Sequence, residues 1–310
     1  MEKRNISDTI LSSTHRVNNC SAEVSKVKKI IIIVVLVALF ASVPKFTFEL
    51  VRYFEESQIE ELDVVEVEFD TYKDVLQFFE KIGYDLNQKE VPTVILKRFP
   101  RDMNQIRDVQ LKKDLFVKVM LPIILRVNEE LKQEREQIIK LSNDSQELKY
   151  YLAKYKAKTK QELLEKVDTI PVDIALAQAA IESAWGTSRF AIEANNIFGE
   201  WTFSPGNGVV PRERPEGEIY ELARFKDLIS SVRSYAYNLN VSPFYKEFRA
   251  IRAGRIKKPI EEGLLYYSQR REKYIQQIKI IIANNQLSKL REHKSSPIQI
   301  ALITAMNIVQ

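Results

Sequence analysis

Apolar and polar positions change their spacing several times along the chain, and each change marks an element. Tyr72 to Ile82 repeats apolar residues at helical intervals, as Val75, Phe78 and Phe79 show, and then meets Gly83. Val91 to Leu96 is a short run that predicts extended chain. Lys112 to about Asn143 has the strongest helical pattern, through Leu115, Phe116, Val119, Met120, Ile123, Ile124, Val127 and Leu131, with Pro122 as the point where it should kink or divide. Residues 134–155 are heavily charged and read as a solvated face, and Gln146 to Val167 predicts one or two further helices. Ala175 to Gly186 breaks this amphipathic rule. It is small and apolar on every side except for one carboxylate, Glu182. Pro171 suits a first helical turn, Asp173 favours the positive end of a helix dipole, and Gly186-Thr187-Ser188 reads as a stop, so a helix is predicted from about 172 to 185 with Glu182 in its last turn.

Beyond Gly186 the pattern turns to short strands and turns. Trp201-Thr202-Phe203, Val209-Val210 and Glu218 to Phe225 are separated by Ser204-Pro205-Gly206-Asn207-Gly208 and Arg214-Pro215-Glu216-Gly217, which predicts a small β lobe inserted between helices. Leu228 to Asn240 and Phe244 to Ala253 are again helical. Glu261 to Asn285 reads as one long amphipathic helical region, and the apolar tail Ile298 to Val309 stays unassigned. The fold class is therefore α+β, mainly helical. One further run stands apart: Lys26, Lys28 and Lys29 lead into Ile30 to Val43, fourteen uncharged residues ending at Pro44. A membrane span needs about 17–25 residues, a length that flanking residues and snorkelling lysines supply. The run lacks any polar face, so a buried core helix does not fit. Signal peptide and retained anchor both fit; the long leader and the lack of a small-residue cleavage site favour an anchor. Basic residues before the run place the N-terminus inside and the rest of the chain in the periplasm.

Composition narrows the chemistry more than the fold. The chain has 310 residues, 47 basic and 42 acidic, for a net charge of +5, a mild excess that suits an anionic wall or membrane face. Cys20 is the sole cysteine, so no internal disulfide forms. With only His15 and His293, zinc sites built on histidine and Ser-His or Cys-His catalysis have almost no material. No phosphate-binding glycine loop occurs, and no metal, cofactor or nucleic acid is expected. Hydrolysis here must rest on carboxylates.

Glu182 is the first of them. A carboxylate near the negative end of a helix, with Gln178 and Trp185 on its own face and Ile181 and Ala184 beside it, is disfavoured in its charged form by the dipole and by desolvation. That is the setting of a general acid. The plain alternative is a helix-end residue that reaches solvent past a buried indole. Glu221 is the second: strand alternation puts it on the face of Ile219, Ala223 and Phe225, so it is either functional or half of a buried ion pair with Arg212, Arg214 or Arg224.

The stretch Gln178-Ala179-Ala180-Ile181-Glu182-Ser183-Ala184-Trp185-Gly186, followed by Asn195-Asn196-Ile197-Phe198-Gly199, resembles the signature of bacterial peptidoglycan N-acetylglucosaminidases of the FlgJ-like glucosaminidase family. Further matches are Gly208-Val209-Val210-Pro211, Tyr220 to Phe225, Ser231 to Tyr235 and Tyr267 to Arg270, so that the likeness covers roughly 160 to 288. Ala184 stands where the family often has Gly. The resemblance implies a lysozyme-like glucosaminidase domain with Glu182 as general acid and a second carboxylate on the β lobe at Glu213, with Glu221 as its rival. It also implies a role for Tyr267 and a glycan groove to which Gln178, Trp185, Asn196, Phe198, Tyr245 and Tyr274 contribute, although each of these has an ordinary packing role as well. The implied activity is hydrolysis of the β-1,4 bond after N-acetylglucosamine in peptidoglycan glycan strands. Alternatives are a lytic transglycosylase and a non-catalytic membrane-anchored scaffold that binds the wall. The expected organisation is a disordered cytoplasmic tail at 1–25, an inner-membrane anchor passing once at 26–44, a helical accessory region at 45–158, the periplasmic glucosaminidase domain at 159–290 and an unassigned tail at 291–310.

Overall fold

A computed structural model describes residues 64–297 apart from Glu213 and Glu216, all within the second of the chain's two compact units, residues 63–310. The expectations for the tail at 1–25, the apolar run at 26–44, Glu213 and the segment 298–310 lie outside the described residues. Among the described residues no helix is long and apolar enough to cross a membrane.

The helix predicted around Glu182 is the axis of this unit. It is α5, Val172–Ser183, and ten of its twelve residues are buried, the exceptions being Ile181 and Glu182. A helix this apolar on every side has to be enclosed. It is: α2 (Val109–Lys140), α9 (Glu272–Asn284) and the 3-10 turn Leu287–Glu292 pack around it. Asp173 at its first turn is fully buried and pairs with Arg291 across 2.5 Å, which ties the start of α5 to that turn.

The other helices follow their capping signals. Thr71 opens α1 (Tyr72–Lys81), Asp108 opens α2, Ser145 opens α3 (Gln146–Lys154), Thr159 opens α4 (Lys160–Lys166), Ser188 opens α6 (Arg189–Ala194) and Asp227 opens α7 (Leu228–Val241). Each accepts a hydrogen bond from a first-turn N–H. The 3-10 turn Pro243–Tyr245 leads into α8 (Lys246–Arg252). Pro122 lies inside α2 without dividing it. One apolar core runs from Val67 to Leu290 and takes in α1 and α2 together with α5, α7 and α9, with no break in packing near residue 158.

Two small parallel pairs brace this body. β1 (Val65–Val67) lies beside β3 (Val94–Leu96) with Val65 opposite Val94, and β2 (Glu90–Pro92) lies beside β7 (Lys294–Ser296) with Glu90 opposite Lys294. The β lobe is a three-stranded antiparallel sheet in the order β4 (Trp201–Thr202), β6 (Glu221–Ala223), β5 (Gly208–Val209).

The single long helix expected over Glu261 to Asn285 is instead a 3-10 turn at Ile260–Leu264, a bend, and then α9. Two residues account for the break. Gly263 meets α8 so closely that a Cβ there would lie 2.3 Å from the Phe248 Cα, and Arg271 has φ 48°. The bend carries Tyr267 out of the helical register and lays it on Tyr274.

Candidate active site

Glu182 is the penultimate residue of α5, and the chain turns sharply after it. Ala184, Trp185 and Gly186 take φ of 51°, 58° and 75° in succession, so the helix stops two residues short of the expected 185. Ser183 locks the turn by donating to the Ala179 carbonyl (2.6 Å) and accepting from the Gly186 N–H (2.8 Å). A Cβ on Gly186 would stand 3.0 Å from the Phe99 ring. Beyond the turn the Trp185 indole meets Phe116 edge-on at 5.5 Å and carries the Lys113 ammonium over one face at 5.1 Å. The indole expected beside the carboxyl therefore belongs to the packing against α2.

Phenols gather instead around Gln178, one turn before Glu182. Gln178 is fully buried, donates from Nε2 to the Tyr274 hydroxyl (3.1 Å) and accepts from the Tyr235 hydroxyl at Oε1 (2.7 Å). Because its oxygen already accepts from Gln178, Tyr274 has its own hydrogen left to turn toward the neighbouring Glu182. Burial pushes the Glu182 carboxyl up from its ordinary value, while the Tyr274 bond and the Arg270 charge pull the other way and lose. Tyr267 stacks on Tyr274 (5.6 Å, 5° between planes), and its hydroxyl donates to the Phe198 carbonyl at 3.3 Å. Phe198 is 3% exposed and stacks on Tyr235 at 3.8 Å, while Tyr245 packs 6.0 Å from Tyr267. Burial raises Tyr235 and Tyr267 well above the usual phenol range and Tyr245 to about 12, so these hydroxyls keep their hydrogens at neutral pH.

Several residues expected to touch a sugar thus have other work. Gln178 and Phe198 are sealed behind the surface, the first holding two phenols and the second serving as a stacking partner. Asn196, 1% exposed, spends its whole side chain on the lobe: it donates to the carbonyls of Glu200 (2.8 Å) and Ala223 (2.9 Å) and accepts from the Glu200 N–H (2.9 Å). Asn195 adds bonds to the carbonyls of Phe225 and Lys226. The Asn-Asn pair is a clamp between the helical body and the sheet.

Glu221 resolves its two expected roles into a third. Its buried carboxylate accepts from the Gly206 N–H at both oxygens (3.0 and 3.1 Å) and from the Gly208 N–H (2.8 Å), so backbone donors satisfy it and no arginine pairs with it among the described residues. Gly208 has no room for a side chain there, since a Cβ would lie 2.8 Å from the Glu221 Cβ.

The residue that the sequence reading passed over is Glu200. It follows Gly199 (φ 69°) and precedes β4, its Oε2 accepts from the Ser234 hydroxyl at 2.6 Å, and its Oε1 is buried without a partner. Burial pushes this carboxyl up to about 6. The charges of Glu200 and Glu182 add to burial in raising the Tyr245 phenol. The available signal was an acid one place beyond Phe198-Gly199, on the strand face opposite Trp201. Among the described residues no group of three or more His, Cys, Asp or Glu side chains gathers to hold a metal ion.

The comparisons with known proteins bear on the part of the chain that holds this half-buried acid. Residues 157–287 match the family model described as mannosyl-glycoprotein endo-beta-N-acetylglucosaminidase, or Glucosaminidase. Over 157 residues the chain is 31% identical to "Protein bax" of Escherichia coli (strain K12), an alignment that covers 46% of this chain and 56% of that protein. The chain thus spans a little over half the length of the curated relative it matches. No solved structure matches it significantly.

Proposed function

We propose that this protein is a peptidoglycan hydrolase, an endo-β-N-acetylglucosaminidase that cuts the β-1,4 bond after N-acetylglucosamine with Glu182 as general acid. The observation that carries this reading is the Glu182 carboxyl itself, half-buried at the end of α5 and raised by that burial, with Tyr274, held by Gln178, as its neighbour. In the reaction, Glu182 gives its proton to the leaving glycosidic oxygen as the bond from that oxygen to the sugar C1 breaks, and positive charge develops on the ring. Water then adds to C1 and returns a proton to the carboxylate. Glu221 is occupied by three backbone contacts, so the developing charge falls to the substrate's own acetamido group or to Glu213. Tyr267 gives its hydrogen to Phe198 and serves as packing for Tyr274. The apolar run at 26–44 is proposed as an inner-membrane anchor that leaves the catalytic domain in the periplasm; a mature protein whose measured mass starts near residue 42 would rule out a retained anchor.

The test is digestion of purified sacculi by the full chain. New reducing ends at N-acetylglucosamine are expected. Products ending in 1,6-anhydro-N-acetylmuramic acid would make the enzyme a lytic transglycosylase, and retained biological activity in Glu182→Gln would make it a wall-binding scaffold.

A further inference from the structure

The first turn of α5 lines a cavity far from Glu182. This cavity, of about 490 Å³, opens between α2, the loop before α5 and the chain that runs from the 3-10 turn into β7. The loop is held in place by Asn128 on α2, which donates to the Ile170 carbonyl (2.8 Å) and accepts from the Ile170 N–H (2.9 Å). Pro171 and Val172 follow in the lining, about 15 Å along the helix axis from Glu182.

The lining is rich in donors. Lys132, Arg291 and Lys294 face a single acid, Glu129, and both lysines are exposed with no ion-pair partner among the described residues. Arg291 gives one nitrogen to Asp173, which is buried behind the lining, and keeps further N–H groups of its fork. Pro171 offers α5 no side-chain cap, and among the described residues no acceptor meets the N–H groups of Val172 and Asp173. His293 makes the opposite demand. It is 8% exposed and belongs to the same lining. Its Nε2 stands 2.9 Å from the Leu86 carbonyl, which can only accept, so Nε2 carries the ring hydrogen and Nδ1 is left with a bare lone pair, buried and unpartnered. Leu86 is outside the lining, so Nδ1 is the nitrogen left for a ligand.

Cations and N–H groups call for negative oxygens, and the imidazole lone pair calls for a hydrogen. A carboxylate or a sulfate answers the first call alone. A phosphate group that keeps one hydrogen answers both. We propose that this cavity binds a phosphate group, as the free ion or as the head of a small ester, with its charged oxygens on Lys132, Arg291, Lys294 and the first N–H groups of α5 and its hydroxyl donating to His293 Nδ1. The site does not depend on the glycosidase chemistry at the other end of the helix.

The experiment is calorimetry on the full chain at constant ionic strength and at about pH 6, where a phosphate ester keeps its second hydrogen about half the time. Inorganic phosphate, glycerol 3-phosphate, sulfate and acetate are titrated separately. Phosphate is expected to bind at least tenfold more tightly than sulfate or acetate, the effect of one further hydrogen bond. A tighter glycerol 3-phosphate identifies an ester as the occupant, and an equal or weaker one identifies the free ion. Lys132→Met and Lys294→Met should each weaken phosphate binding about tenfold with no change of melting temperature in phosphate-free buffer, and Glu182→Gln should bind phosphate as the wild type does. The proposal is overturned by the absence of saturable binding of phosphate and ester, by sulfate or acetate binding as tightly as phosphate, or by lysine variants that bind like the wild type. Loss of phosphate binding in Glu182→Gln overturns it too, because the ion would then sit at the acid end of α5.

Discussion

Two carboxylates four residues or fewer from a glycine, Glu182 on the helical wall and Glu221 on the β lobe, look alike on paper and are handled in opposite ways. The lobe surrounds Glu221 with backbone donors from Gly206 and Gly208, which satisfy its oxygens and make the side chain a fastener for its loop. The wall surrounds Glu182 with apolar burial and a single phenol, which makes the proton hard to lose. The difference separates a charge that holds structure from a proton that is kept for use: count the donors before assigning a role.

The sharpest break of that comparison is in activity. Glu182→Gln removes the proton and should lower sacculus turnover by roughly three orders of magnitude or more, with a melting temperature equal to or above that of the wild type, because the lost charge was disfavoured by burial. Turnover within tenfold of wild type would place the acid elsewhere.

Stability gives the second break. Asp173 is fully enclosed, and Arg291 is its partner. Arg291→Met should cost about 3 kcal/mol in global unfolding, since a buried carboxylate is left without a counter-charge, and it should act on the helical body as a whole. Glu221→Ala should cost about 2 kcal/mol and act locally, exposing Gly206 and Gly208 to hydrogen exchange while α5 stays protected. Equal loss of protection in both regions would show the lobe and the body to be one cooperative unit.

The sequence carried the body well and the site unevenly, for reasons that can be named. Apolar spacing showed α1 and α2, and end signals showed α5, because both are local in sequence. The wall around Glu182 is not local. Gln178 was visible on the same face, but Tyr235 and Tyr274 reach it from residues 57 and 96 places away. The exit of Trp185 depended on two non-glycine residues at positive φ, which no propensity announces. Glu221 is buried, but not by the alternation expected, since Ile219 on its face is exposed and Leu222 on the other face is buried; its partners are the N–H groups of a turn, and backbone donors leave no side-chain signal to pair with. Glu200 was missed for the converse reason: an acid beside Trp201 reads as an exposed strand end until Ser234 is found against it.

The smallest expected effect is in the pH dependence of stability, and its sign tests whether burial governs the Glu200 carboxyl. The ordinary value for this carboxyl is 4.5 and the folded protein moves it to about 6, so the native state binds the proton more tightly than the unfolded chain. Glu200 therefore stabilises the fold fully below pH 4.5, and that contribution disappears as pH rises through 6. A shift of this size corresponds to about 2 kcal/mol. Gln cannot titrate and keeps an acceptor for Ser234, so Glu200→Gln should exceed the wild type in stability by up to that amount at pH 7.5, by less at pH 5.5, and not at all near pH 4. Denaturant melts at the three pH values give the difference without reference to activity. A gap that is constant with pH would mean that the carboxyl is solvated and untroubled, and a gap that grows as pH falls would mean that Glu200 is held by a cation and is a second fastener like Glu221.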